Sequence, residues 1–164
     1  MARTSLVGIY LQDHLAGSVA GLELIGRARR ENRDNELGAF LEELEREVDR
    51  DQRTLLDVMA AVGVEPSRLK NGLAWAAEKA GRLKLNGRLL RYSPLSRLVE
   101  LEVLAAGIAG KRSLWLALEA MEDPRLARFE LPELVERAEA QIARLETWHR
   151  RAAAFVGSSA RARR

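Results

Sequence analysis

Residues 93–121 read SPLSRLVELEVLAAGIAGKRSLWLALEAM, and this stretch sets the scale of the fold. Ser93 can cap the first free amides of a helix, Pro94 sits where a helix tolerates proline, and Asp123-Pro124 closes the far end. Unbroken, the stretch forms a helix of roughly 29 residues and about 43 Å, the length of a bundle element. At about 100° per residue, Leu95, Leu98, Ala105, Ala109, Leu116 and Ala120 fall on one side, the expected buried face. Glu102 falls there too, and a buried carboxylate needs a partner.

Working outward, the rest of the chain fits the same design. Pro66, Pro94 and Pro132 fall at helix starts, Pro124 lies between helices, and almost nothing alternates with period two. The reading is all-α. A first helix is expected from about Thr4 to Arg30, burying Val7, Leu11, Leu15, Ser18, Leu22 and Ile25. The polar turn at residues 31–35 leads into a second, from about Glu36 to Val62, with Leu37, Leu44, Val48, Leu55 and Met59 inward and Gly63 as its stop. The last runs from about Pro132 to Val156, burying Leu134, Ala138, Leu145, Ala152 and Val156. Residues 1–157 then form one helical domain, and 158–164 a basic C-terminal tail.

Between the second and third long helices lie roughly 30 residues, far more than a usual helix–helix link. Pro66 to about Leu83 reads as a shorter helix, and Asn86-Gly87 as a turn. A short link would give up-down-up-down order. A long helical crossover can instead travel the height of the bundle and start the third helix parallel to the second, and that order is favoured.

Composition bounds the function. The chain has 164 residues, 47% of them hydrophobic, which suits one domain with a sizeable core. Without cysteine there is no disulfide framework, thiolate nucleophile or cysteine metal site. The early apolar run is broken by Gln12, Asp13 and His14, unlike a signal peptide, and the uncharged run Val103–Gly110 is far too short to span a membrane. A cytoplasmic protein is expected. The net charge of +3 is mild and does not by itself imply nucleic acid.

In helix number, helix length and connectivity the chain resembles the ferritin-like four-helix-bundle superfamily. That resemblance implies a di-metal site with one Glu from each of two helices and a Glu-x-x-His from each of the others. Glu146-Thr147-Trp148-His149 matches the motif in the last helix, and Glu102 supplies a carboxylate in the third. The second helix departs from it, with Glu47-Val48-Asp49-Arg50 carrying arginine in place of histidine. Glu23, the first helix's candidate, projects outward, and Glu146 lies roughly 100° from the buried centre.

Projection alone selects another set: His14, Asp51, Glu102 and His149, one inward or inward-edge residue per long helix, with Ser18 and Gln141 nearby. Two imidazoles and two carboxylates are adequate ligands for a transition metal such as zinc, iron or manganese. They suit equally a buried hydrogen-bonded network, the commoner outcome. In ferritin-like order the four stand at levels spread over roughly 13 Å, against about 7 Å in up-down-up-down order.

One charge concentration remains. Lys79, Arg82, Lys84, Arg88, Arg91 and Arg97 interleave with Leu83, Leu85, Leu89 and Leu90. Such a stretch can bind anionic lipid or nucleic-acid phosphate, but is more often a solvated face whose leucines pack on the bundle. Gly17 and Gly21, and Ala106, Gly110, Ser113 and Ala117, make ladders of small residues that admit close helix packing; a homo-oligomer is left open, with no residue in the sequence to specify it. Trp115 and Trp148 read as core or interface fillers. Phosphate-loop, nucleophile-elbow and zinc-protease motifs are missing. The sequence therefore points to a non-catalytic structural or interaction bundle, with a divergent ferritin-like metal protein as the alternative.

Overall fold

The computed structural model describes residues 5–66 and 92–161. Among these, four long helices account for the architecture: α1 (Leu6–Glu31), α2 (Glu36–Ala61), α3 (Pro94–Ala120) and α4 (Leu131–Arg161). Side chains define the starts of the first three. Ser5 Oγ accepts from the Gly8 amide at 2.9 Å. Asn35 Oδ1 accepts from Leu37 and Gly38 at 3.0 and 3.3 Å. Ser93 Oγ accepts from Ser96 at 3.1 Å, with Pro94 in the first turn as expected. Each bond satisfies an amide that the helix itself leaves without an acceptor. Gly63 follows α2 at φ +75°, a conformation that favours glycine. A 3-10 turn, Pro124–Leu126, links α3 to α4, and Arg125 Nη1 donates to the Val62 carbonyl at 3.1 Å, tying that link to the end of α2. Gly157 does not stop the last helix, which continues to Arg161.

The core has two apolar clusters stacked along the bundle. One contains Ile25, Leu41, Leu44, Leu101, Leu104 and Leu145; the other contains Leu11, Leu55, Met59, Leu114, Trp115 and Leu134. The order in which each helix visits them sets its direction. α2 and α3 run from the first cluster to the second, whereas α1 and α4 run from the second to the first. The third helix is therefore parallel to the second, as the long connection led one to expect. The crossover helix and its turn, expected at 66–83 and 86–87, lie outside the described residues apart from Pro66.

The expected inner face of α2 holds; in α1 Leu11, Leu15 and Ile25 are buried but Val7, Ser18 and Leu22 only half-buried, and in α4 Val156 is half-buried. Leu37, Leu44, Val48, Leu55 and Met59 of α2 are all buried, as are Leu134, Ala138, Leu145 and Ala152 of α4. The phase expected for α3 does not hold. Its core face is Glu100, Leu101, Leu104, Ile108, Leu114, Trp115 and Leu118, while Leu95, Ala109, Leu116, Ala120 and Glu102 are exposed. The helix is turned by nearly half a turn from the expected orientation. Its apolar residues surround the axis, so periodicity alone defines the phase weakly. The polar residues that would normally mark the outside, Glu100 and Lys111, lie inward because each has an ionic partner there.

Candidate functional site

Between the two apolar clusters lies a layer of charge. Asp51, only 2% exposed, projects from α2, and Lys111 Nζ on α3 donates to its Oδ2. Lys111 also donates to Gln141 Oε1 on α4 at 2.6 Å. The Gln141 amide in turn donates to Glu47 Oε2 at 3.0 Å and to Asp51 Oδ2 at 3.3 Å. Arg137 faces Asp51 Oδ1 at 2.6 Å as an ion pair, and Arg144 pairs with Glu47 at 2.5 Å and Glu43 at 3.4 Å. Helical spacing builds this. Glu43, Glu47 and Asp51 recur every fourth residue along one face of α2, opposite Arg137, Gln141 and Arg144 on α4. Three carboxylates meet three cations, so the layer is neutral. Burial lowers the Lys111 pKa, and the neighbouring Asp51 carboxylate opposes that shift. Both groups of such a pair lose hydration, and only close mutual contact offsets the loss.

The four residues expected as a metal or hydrogen-bonding set are not brought together. Asp51 is engaged by Lys111, Arg137 and Gln141. Glu102 and His149 do meet, Oε1 to Nε2 at 2.9 Å, but the Glu102 side chain is 54% exposed and the pair lies on the outside. The expectation that Glu102 is buried thus fails with the phase of α3, while its contact with His149 holds. His14 packs edge-on against Tyr10, ring centroids 4.6 Å apart. Its pKa is lowered by burial, against a smaller opposing effect of Asp13. Ser18, also expected nearby, accepts instead from Gln52 at 2.9 Å. Among the described residues, no group of three or more His, Asp or Glu side chains is placed to hold a metal ion. The expected anion-binding residues Lys79, Arg82, Lys84, Arg88 and Arg91 lie outside the described residues.

A second polar cluster, which the sequence reading missed, joins the α1–α2 turn to the start of α3. Glu100, 5% exposed, accepts from Arg27 Nη2 at 2.5 Å and from Nε at 3.0 Å. Asn32 donates to the Tyr92 hydroxyl at 2.6 Å and to the Ala28 carbonyl at 2.8 Å. Burial raises the Glu100 pKa, and Arg27 works against that shift. Burial likewise raises the Tyr92 pKa, opposed in part by Asn32. One oxygen of Glu100, Oε2, has no hydrogen-bond partner among the described residues. The signal that could have found Glu100 is its spacing from Leu104, Ile108, Lys111 and Trp115, which shares their helical face.

The outward side of α3 is the other unusual surface. Leu95, Ala106, Ala109, Ser113, Leu116 and Ala120 recur along it and are exposed, with Glu102 as the charge among them. A surface helix ordinarily turns its charged face to solvent. α3 instead carries one apolar face in the core and a second outside. No described helix is long and apolar enough to cross a membrane. No family model matches the chain, and neither a curated protein nor a solved structure matches it significantly.

Proposed function

We propose that this chain is a non-catalytic, cytoplasmic interaction bundle that pairs with a second copy of itself through the outward face of α3. The observation that carries the reading is that face, which runs along a 27-residue helix and is apolar apart from Ser113 and Glu102, the latter paired with His149. Larger apolar residues flank a middle of small ones. Leu95 and Val103 stand toward one end, Leu116 and Met121 toward the other, and Ala106, Ala109 and Gly110 lie between them. Antiparallel pairing about residue 108 brings Leu95 level with Met121 of the second copy and Ala106 level with Gly110, so that the backbones can approach at the small residues. Such a two-fold contact needs one surface that fits itself. The interior charges support the same reading, because Asp51, Glu47 and Lys111 are occupied with one another rather than directed at a ligand.

Sedimentation analysis of the wild type and of Ala109→Arg tests the proposal. The wild type is expected to be dimeric at micromolar concentration, and the variant monomeric with unchanged helicity. A wild type that stays monomeric throughout that range overturns it. The parallel order of α2 and α3 supports a ferritin-like reading of the fold, with metal binding as the alternative activity. Elemental analysis discriminates the two: stoichiometric transition metal that is lost on His149→Ala would replace the interaction reading.

A further inference from the structure

At the end of the bundle where α2 begins and α4 finishes, a cleft of about 390 Å³ opens between α2, α3 and α4. Its volume lies within the range of small-molecule sites. Arg97 from α3, and Trp148, Arg151 and Phe155 from α4, supply its chemistry. The Arg97 guanidinium lies over the Tyr92 ring, 6.0 Å from the centroid, and its buried Nε has no hydrogen-bond partner among the described residues. Among the described residues no carboxylate pairs with Arg97. Arg151 lies 4.7 Å over the Trp148 ring, and its carboxylate neighbour, Glu36, is 3.7 Å away. Both members of that pair are largely exposed, so solvent screens it.

Among the described residues, therefore, the two guanidiniums lining this cleft meet little neutralisation. The aromatic surface beside them is firm on one side and free on the other. Trp148 is stacked on Phe40 at 5.9 Å, whereas Phe155 is 53% exposed. Asn35 already caps the first amides of α2, so that helix start adds little to anion binding. Arginine recognises carboxylate and phosphate oxygens through paired N–H donors, and an aromatic wall favours an apolar body attached to the anion. Glu36, at the rim, disfavours ligands with a long acidic tail.

We propose that this cleft binds a small organic acid, its carboxylate or phosphate between Arg97 and Arg151 and its apolar body against Phe155 and Trp148. Phenyl phosphate, benzoate, inorganic phosphate and benzyl alcohol are the probes, titrated calorimetrically into the full chain. Phenyl phosphate or benzoate is expected to bind saturably, and more tightly than inorganic phosphate or benzyl alcohol. The tighter of the two shows whether phosphate or carboxylate is preferred. Arg97→Gln and Arg151→Gln should each weaken the better aryl acid roughly ten-fold, the loss of about one charge-assisted hydrogen bond. Phe155→Ser should weaken it while leaving inorganic phosphate unchanged. Circular dichroism of each variant, expected to match the wild type, separates lost binding from lost folding. The proposal is overturned if neither aryl acid saturates, if inorganic phosphate binds as well as both, or if folded Arg97→Gln and Arg151→Gln retain wild-type affinity.

Discussion

Glu100 and Asp51 are both carboxylates almost out of water, yet they are held differently. Asp51 has cations from two helices and an amide donor. Glu100 has Arg27 on one oxygen, and that arginine is itself half exposed. Burial therefore dominates at Glu100 and raises its pKa, with Glu31 adding to the shift and Arg27 and Tyr92 opposing it. The folded state holds this proton more tightly than the unfolded chain does. Its contribution to stability is therefore present at acid pH and is lost as pH rises through the folded pKa. Comparing urea unfolding of wild type and Glu100→Gln from about pH 4 to about pH 7 isolates the effect. The wild type should lose stability relative to the variant as pH rises, and a difference that stays flat or moves the other way refutes the assignment. Asp51 was legible as an inward carboxylate because α2 is strongly amphipathic. Lys111 was not, because a cation inside an apolar run is ordinarily read as marking the solvent side.

The same ambiguity governs the helices as units. In α2 and α4, polar residues occupy one side of the axis, so the periodicity specifies which leucines face the core, whereas α1 is less one-sided, with Leu6 and Ile9 exposed. In α3 the apolar residues encircle the axis, and only contacts with other helices select a face. Of the face expected to be the core, Leu95, Ala109, Leu116 and Ala120 are offered to solvent, while Leu98 and Ala105 are half-buried against the core. Glycines mark the packing at two further places. A Cβ on Gly38 would sit 2.1 Å from the Asn32 carbonyl oxygen, inside the α1–α2 turn, whereas one on Gly107 in α3 would meet nothing within 4 Å. Gly38→Ala must therefore displace backbone and should destabilise the bundle by about 2 kcal/mol or more. Gly107→Ala should stabilise it by about 1 kcal/mol, since alanine loses less conformational freedom in a helix. Chemical denaturation of the two variants checks both signs. If Gly38→Ala unfolds at the wild-type midpoint, the turn is not packed as described.

Across the whole molecule, four helices in this order could in principle slide along one another, since leucine packs on leucine at many offsets. The charged layer resists this. Lys111 can reach both Asp51 and Gln141 only at one alignment of α3 with α2 and α4. Displacing a helix by one turn, about 5.4 Å, leaves Asp51 buried without its closest cation. Buried ionic groups can thus specify one arrangement even where they add little to stability. The two roles are separable by experiment. Lys111→Met alone strands a buried carboxylate and should cost about 3 kcal/mol, at the lower end for a broken buried pair because Arg137 remains beside Asp51. Replacing Asp51, Lys111 and Gln141 together by leucine removes the stranded charge, and Arg137, already partly exposed, can turn to solvent. The triple variant should therefore melt at or above the wild-type temperature. It should also give broadened amide resonances from a mixture of alignments. A triple variant with resonances as sharp and well dispersed as those of the wild type would mean that apolar packing alone selects the alignment.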